Sequence, residues 1–316
     1  MLTLVTHHTH DLTDRLARAQ KAAAEAGMDA LLVSPGADLR YLTGYEALPL
    51  ERLTCLVLPA VGDPLMVVPA LEKPAAEASP LGRLDLEILP WNETDDPYAL
   101  IASRLPGAGT RAGAAGIRVV GLDNHMWAEK VLNFRRVLPE AEQTLAGAVL
   151  SDLRVRKTPE EIASLRAAGA AIDAVHRRVH EWLRPGRTER EVGQDIADAI
   201  LAAGHASVDF VIVGSGPNGA SPHHELSDRV IQAGDQVVVD IGGTMPDGYC
   251  SDSTRNYSLG APSAEYAEYF AVLLAAQQAQ CDAIRPGITA EELDGVGRDL
   301  ITAAGFGDKF IHRTGH

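Results

Sequence analysis

The chain has 316 residues, of which 46% are hydrophobic and 22% are charged, and its formal net charge is −15. A chain of this length and composition can bury a sizeable core, and it suggests a globular protein with two domains. The acidic balance argues against nucleic acid or an anionic membrane surface as a partner.

The amino-terminal part of the chain, residues 1–140, is predicted to form an α/β domain. Residues 12–26 place apolar and small side chains on one helical face and charged side chains on the other. A second helix is predicted over 96–105, and the glycine-rich stretch 107–116 predicts a flexible loop. Short apolar runs predict five strands, at 30–33, 55–58, 65–68, 86–89 and 119–122.

A linker at residues 141–157 is expected to join this domain to a second domain over residues 158–316. The second domain opens with Thr158-Pro-Glu-Glu161, in which threonine and glutamate form a capping box. Proline occupies the first helical position, where its fixed φ suits a helix start. The pattern predicts a helix that begins at this point.

The second domain contains an internal repeat. Arg184-Pro-Gly-Arg-Thr-Glu-Arg-Glu191 and Arg285-Pro-Gly-Ile-Thr-Ala-Glu-Glu292 are near copies, offset by 101 residues from position 184 to position 285. Each copy carries a Thr-x-x-Glu capping box after an Arg-Pro-Gly break. An ordinary helix-start pattern used twice is the alternative, but the match continues through a full helix at the same offset. We therefore expect two related α+β units that face each other, with a functional site between them.

Two aspartates, Asp240 and Asp252, lie at the two ends of a predicted β-hairpin. An apolar run at 237–239 predicts a buried strand, and residues 245–248 carry the proline and glycine of a turn. The aspartates are an even number of residues apart, so a regular hairpin places them on one face, either opposite each other or one diagonal step apart. Two facing carboxylates repel unless a proton or a cation lies between them, and a hard divalent metal suits that position. The alternative is that Asp240 merely ends a strand and Asp252 merely lies in a turn.

A glycine pattern nearby imitates a dinucleotide-binding fingerprint. Gly214-Ser-Gly-Pro-Asn-Gly219 satisfies G-x-G-x-x-G and follows an apolar strand. A dinucleotide site also needs a helix immediately afterwards, with its amino terminus facing the pyrophosphate. The following Ala-Ser-Pro-His-His does not open such a helix, so we reject this interpretation.

The cysteines and the amino terminus bear on the location of the protein. Cys55, Cys250 and Cys281 are an odd number of cysteines without metal-site spacing, which is typical of a reducing compartment. The amino terminus has no basic-then-apolar leader, and no apolar run is long enough to span a bilayer. These observations predict a cytoplasmic protein without a membrane partner.

Four motifs occur in the order Ser215-Gly-Pro-Asn-Gly-Ala-Ser-Pro-His-His224, Gly234-Asp-Gln-Val-Val-Val-Asp-Ile-Gly-Gly243, Gly248-Tyr-Cys-Ser-Asp-Ser-Thr-Arg255 and His312-Arg-Thr-Gly-His316. Taken together, they resemble the metallopeptidases with the pita-bread fold, in the prolidase and aminopeptidase P branch. The resemblance is strong from about residue 156 to residue 316, and weaker but consistent over the amino-terminal part. It implies a creatinase-like α/β amino-terminal domain followed by an α+β pita-bread catalytic domain with an internal pseudo-two-fold duplication.

The resemblance also implies roles for four residues of this chain. Asp240 matches a metal-bridging aspartate, Asp252 matches an aspartate that binds one metal of a pair, and His316 matches the single histidine ligand. His223 matches an active-site histidine that lies near the substrate, although a solvated loop histidine is the alternative. The two aspartates are one residue further apart than is usual in the family. The family has five metal ligands, so two glutamates are expected beyond position 316, and the site is incomplete as the sequence is written.

The function that the resemblance implies is hydrolysis of Xaa-Pro peptides, most of all dipeptides, by a water that bridges two divalent metals. Manganese is the expected metal, with cobalt and zinc as alternatives, and a homodimer is the expected assembly. Aminopeptidase P activity on longer Xaa-Pro-Xaa peptides is the first alternative. A non-catalytic binding module with an incomplete metal site is the second. Creatinase-like chemistry without metal is disfavoured by the aspartate pair.

Overall fold

The structure is a computed structural model that describes residues 9–105 and 116–315, and for residues 9 and 10 it describes the backbone alone. The chain forms two compact units, Met1–Ile162 and Ala163–His316. Among the described helices, none combines the length and the apolar character that a bilayer span requires.

The first unit is built on a six-stranded mixed sheet in the order β4-β3-β2-β1-β5-β6. Strands β1, β2 and β3 pair antiparallel, while β3–β4, β1–β5 and β5–β6 pair parallel. The strands are β1 (Ala30–Val33), β2 (Cys55–Pro59), β3 (Leu65–Pro69), β4 (Glu87–Trp91), β5 (Val119–Leu122) and β6 (Glu142–Leu145).

Helices cover both faces of this sheet. They are α1 (Thr9–Glu25), α2 (Ala37–Thr43), α3 (Lys73–Ala78), α4 (Pro97–Arg104), α5 (Ala128–Val137) and α6 (Gly147–Val155). In β1, Leu31 belongs to the core cluster that contains Leu12 of α1, whereas Leu32 belongs to the cluster that contains Phe134 of α5. Successive side chains of a strand point to opposite faces, so a strand buried on both faces is apolar throughout.

Most of the predicted elements of this unit are confirmed. Strands β1 and β5 have the predicted bounds, and β4 begins one residue later than predicted. Helices α2, α3, α5 and α6 and strand β6 were not predicted, and β6 and α6 lie within the stretch 141–157 that was expected to be a linker. Strand β6 was missed because Glu142–Leu145 lacks the apolar run that indicates a strand. The predicted loop at 107–116 lies outside the described residues except for Gly116.

The second unit contains a three-stranded antiparallel sheet in the order β7-β8-β9. The strands are β7 (Ser207–Ser215), β8 (Gln236–Thr244) and β9 (Cys250–Ser258). Its helices are α7 (Pro159–His176), α8 (Val179–Trp182), α9 (Glu189–Ala202), α10 (Ala264–Ala283) and α11 (Ala290–Ala303). The first four residues of α7 precede the boundary between the two units. Helix α7 begins where the Thr158 capping box predicts it. Helix α9 packs its buried Val192 and Ile196 into the core that Val237 and Ile241 of β8 also form.

The internal duplication is visible in helices α9 and α11. Their first and last residues are both offset by the predicted 101 positions. Each begins with a complete capping box, Thr188 with Glu191 and Thr289 with Glu292. Within the described residues, only the first copy is followed by a three-stranded sheet, so a site between two such units remains a prediction.

Candidate metal centre

The β8–β9 hairpin places the two aspartates on one face. Asp252 is paired with Gly242, and Asp240 is paired with Thr254, so the aspartates are diagonal neighbours. This is one of the two arrangements that the sequence predicts. Strand β9 begins at Cys250, and the preceding Tyr249 still belongs to the turn, because its carbonyl accepts a hydrogen bond from the backbone of Met245.

Asp240 and Asp252 line one cavity of about 700 Å³ together with His223. That volume lies in the range typical of small-ligand sites. The structure thus brings together three of the four predicted site residues. The rest of the lining is Arg190, Phe210, Val211, Ile212, His224, Glu225 and Leu226.

The donor atoms at this hairpin suit a hard divalent cation. Thr254 donates its hydroxyl hydrogen to Oδ1 of Asp240 at 2.6 Å, and no Lys or Arg among the described residues forms an ion pair with Asp240. Carboxylate oxygens are ligands that manganese and magnesium prefer. The described residues contain no group of three metal-binding side chains, and His316, the predicted third ligand, lies outside them. The aspartate pair therefore fits a divalent metal as part of a ligand set.

His176, which sequence analysis did not single out, supports β9 from helix α7. Its ring is buried, with Nε2 2.9 Å from the carbonyl of Ser253 and Nδ1 3.0 Å from the hydroxyl of Tyr257. Burial lowers the pKa of His176, so the ring is neutral near pH 7. Nε2 then donates to the carbonyl of Ser253, while the hydroxyl of Tyr257 can donate its one hydrogen to Nδ1 or to the carbonyl of His176 at 3.1 Å. This arrangement fixes the backbone of β9 beside Asp252.

A second buried histidine supports the hairpin at the same level. Nδ1 of His205 is 3.1 Å from the carbonyl of Ile200, and Nε2 is 2.8 Å from the hydroxyl of Ser251, which precedes Asp252. The carbonyl of Ile200 can only accept, so Nδ1 carries a proton in this contact. Each histidine has a partner far away in sequence, Ser253 for His176 and Ser251 for His205, and no local signal could have identified either contact.

Arg255 follows the aspartate pair in β9 and supports the hairpin through its guanidinium. Its guanidinium donates to the carbonyl of Thr254 at 2.7 Å and to Asp173 of α7 at 3.3 Å. These contacts connect the hairpin to a helix. The G-x-G-x-x-G pattern of residues 214–219 overlaps a 3₁₀ turn at Gly216–Ala220, and no α-helix begins directly after it, in agreement with its rejection as a dinucleotide site.

The segment that carries His223 is connected to the carboxylate of Glu189, another residue that sequence analysis missed. Glu189 is the first residue of α9, and its side chain is fully buried. Burial by itself would raise its pKa, but hydrogen bonds outweigh burial and lower the pKa to about 2. The donors are the backbone and hydroxyl of Ser215, at 2.8 and 2.6 Å, Asn218 at 3.0 Å, His224 at 2.7 Å, and Ser227.

A mixed α/β first unit, a helix-covered sheet and an aspartate pair in a cavity define a pita-bread protein with a creatinase-like first domain. Residues 163–316 match metallopeptidase family M24, and residues 15–156 match the creatinase/prolidase amino-terminal domain. The chain belongs to metallopeptidase family M24.

Named relatives agree with this assignment. The chain is 50% identical over 302 residues to a probable dipeptidase PepE of Mycobacterium tuberculosis, covering 96% of this chain and 78% of that protein. It is 36% identical to a Xaa-Pro dipeptidase of Lactobacillus helveticus, covering 95% and 80% of the two chains. The crystal structure of dipeptidase PepE from Mycobacterium ulcerans superposes with a TM-score of 0.91 at 47% identity, covering 98% and 81%.

Proposed function

We propose that this protein is a metal-dependent dipeptidase that hydrolyses the bond before proline. The observation that carries the proposal is the cavity in which Asp240, Asp252 and His223 meet. Family membership and the Xaa-Pro dipeptidase name of the Lactobacillus helveticus relative support it. We propose manganese as the metal because the two donors are carboxylates.

In this proposal each residue of the cavity has a separate task. Asp240 and Asp252 bind divalent metal, with His316 as a further ligand. When bound, the metal supplies Lewis-acid activation of a water and of the scissile carbonyl. His223 holds the substrate carbonyl, or stabilises the negative charge that develops on its oxygen in the transition state.

The apolar part of the cavity suits the proline side of the substrate. Phe210 and Leu226 line the same cavity as the aspartates, so an apolar ring can be buried within reach of the reacting bond. Burying such a ring stabilises binding by about 1–2 kcal/mol at roughly 25 cal/mol per Å² of apolar surface. A dipeptide whose second residue is alanine loses most of this contribution.

The test is hydrolysis of three peptides by the purified protein: a Xaa-Pro dipeptide, the matching Xaa-Ala dipeptide, and a Xaa-Pro-Xaa tripeptide. Each is assayed with manganese, after removal of metal by a chelator, and after manganese is restored. We expect metal-dependent hydrolysis with the Xaa-Pro dipeptide as the best substrate, and recovery when manganese is returned. Calorimetric titration with manganese runs in parallel.

Other outcomes separate the alternatives. Faster cleavage of the tripeptide would make the protein an aminopeptidase P. Absence of both manganese uptake and hydrolysis would favour a non-catalytic binding module. Hydrolysis that persists at the full rate after metal removal would contradict the metal-dependent mechanism.

A further inference from the structure

We propose that Glu189 is the positioning residue of this site, a buried carboxylate that fixes the 215–229 segment and thereby places His223 and His224 at the cavity. The inference deepens the proposed function and rests on it for the activity readout alone. All of the partners of the Glu189 side chain lie on this one segment. They are 26 to 38 residues away from Glu189 in sequence.

The start of helix α9 does not require this glutamate. Thr188 and Glu191 already form the complete capping box of the helix. Helix α11, the second copy of the repeat, has the same capping box, and its first residue is Ala290. The internal repeat thus acts as a built-in comparison, in which a glutamate at the first helical position is dispensable for the helix. Glu189 is directed instead at the segment beside the cavity.

The middle of the segment depends on side-chain contacts for its position. Backbone hydrogen bonds hold its two ends, where Ser215 pairs with Val237 of β8 and the carbonyls of Ser227 and Arg229 accept from the backbone of α9. Between these ends lies the 3₁₀ turn at Gly216–Ala220, and within the described residues no backbone hydrogen bond joins residues 222–226 to another element. Glu189 contacts its beginning at Ser215, its middle at His224 and its end at Ser227. Arg229 extends the network, since it donates to the hydroxyl of Ser215 at 2.5 Å and to Asp235 at 2.6 Å.

The contact with His224 fixes one of the two histidines. A carboxylate can only accept, so Nε2 of His224 carries the proton in its 2.7 Å contact with Oε2 of Glu189. The adjacent His223 is exposed, and no hydrogen bond of its ring occurs within residues 9–105 and 116–315. We infer that His223 takes its position at the cavity from its neighbour, because adjacent residues share one stretch of backbone.

The experiment compares Glu189→Gln with Glu191→Gln, a change of the same type two residues further along the same helix. Glutamine presents an amide nitrogen to groups that are themselves donors, so at least two of the Glu189 contacts are lost. A glutamate-specific protease cleaves after the exposed Glu225, and mass spectrometry measures the rate of this cleavage. The rate reports how often the 215–229 segment opens. Nitrogen-edited NMR of the histidine rings follows the Nε2 proton of His224.

We expect Glu189→Gln to be cleaved after Glu225 at least about tenfold faster than the unmodified protein. We also expect the His224 Nε2–H signal to be lost or strongly shifted, with manganese affinity within about twofold of normal. The kcat for a Xaa-Pro dipeptide should fall about tenfold or more. Glu191→Gln should match the unmodified protein in all of these measurements. Unchanged cleavage and an unchanged ring signal in folded Glu189→Gln would overturn the proposal.

Two further variants keep the test decisive if Glu189→Gln fails to fold. Asn218→Ala and Ser227→Ala each remove one of the side chains that donate to the carboxylate and leave the other donors in place. Each should speed cleavage after Glu225 to an intermediate degree, and normal cleavage in both would overturn the proposal. If the unmodified protein hydrolyses no peptide, the proposed function fails, while protease cleavage and NMR still decide the role of Glu189.

Discussion

At the scale of single residues, the carboxylates in and beside the candidate site have different hydrogen-bond partners. Asp240 accepts a hydrogen bond from Thr254 and lies diagonally across β8–β9 from Asp252. Glu189 collects its donors from one segment of chain. Each of these carboxylates can therefore be neutralised separately, with a different expected result.

The first residue-scale prediction concerns Asp240→Asn. Asparagine retains an oxygen that accepts from Thr254, so the hairpin should keep its structure while the metal loses an anionic ligand. Calorimetric titration with manganese should show affinity reduced at least about tenfold. Asp247→Asn, in the turn of the same hairpin, is the matched control and should bind manganese normally. Equal affinity in the two variants would contradict the role of Asp240.

The second residue-scale prediction concerns the acid stability that Glu189 provides. Its pKa in the folded protein is about 2, below the ordinary value of 4.5, so its contribution is complete above about pH 4.5. The contribution is lost as the pH falls towards 2, and its size is on the order of 1–3 kcal/mol. Calorimetric melting of the unmodified protein and Glu189→Gln should therefore show a difference in Tm that narrows from about pH 5 downwards. A difference that is constant over this range would contradict the assignment.

At the scale of elements, local sequence patterns predicted the hairpin well and its surroundings poorly. The even spacing of Asp240 and Asp252 is sufficient to place both on one face, because side chains in a strand alternate. The diagonal register, by contrast, depends on where the turn closes, and the turn includes Tyr249. Strand β6 could not be predicted because Glu142–Leu145 has no apolar pattern of its own. These four residues form a strand because they pair with β5.

The element-scale prediction concerns Gly243, where β8 passes close to β7. A Cβ at this position would lie 2.6 Å from the carbonyl oxygen of Ser207 and 2.9 Å from Cδ2 of His205. Gly243→Ala should therefore destabilise the fold by about 1–3 kcal/mol, measured by chemical unfolding. Gly169→Ala in α7 is the control, since nothing lies within 4 Å of its Cβ, and alanine there should stabilise by about 0.5–1 kcal/mol. Equal stability of the two variants would contradict this account of β8.

At the scale of the whole molecule, metal should act on one unit of the chain. Asp240 and Asp252 both belong to the unit Ala163–His316. A ligand that binds only the folded site stabilises it by mass action and slows its local opening. Amide hydrogen exchange with and without manganese should therefore slow in β8 and β9, and should stay unchanged in the six-stranded sheet. Equal slowing in both sheets would indicate binding elsewhere.

The assembly and location of the protein also belong to this scale. A homodimer and a cytoplasmic location remain predictions from the resemblance and from the cysteine content. Light scattering of the purified protein measures the first of these directly.

The sequence by itself determined the features that depend on neighbours along the chain. The capping boxes at Thr188 and Thr289, the repeat at an offset of 101 and the common face of Asp240 and Asp252 all follow from local chemistry or from the two-residue period of a strand. Only the tertiary structure decided that Glu189 binds a segment up to 38 residues away, and that buried histidines support the hairpin from outside. The path of the chain between such residues is set by packing of the whole unit, which no local pattern encodes.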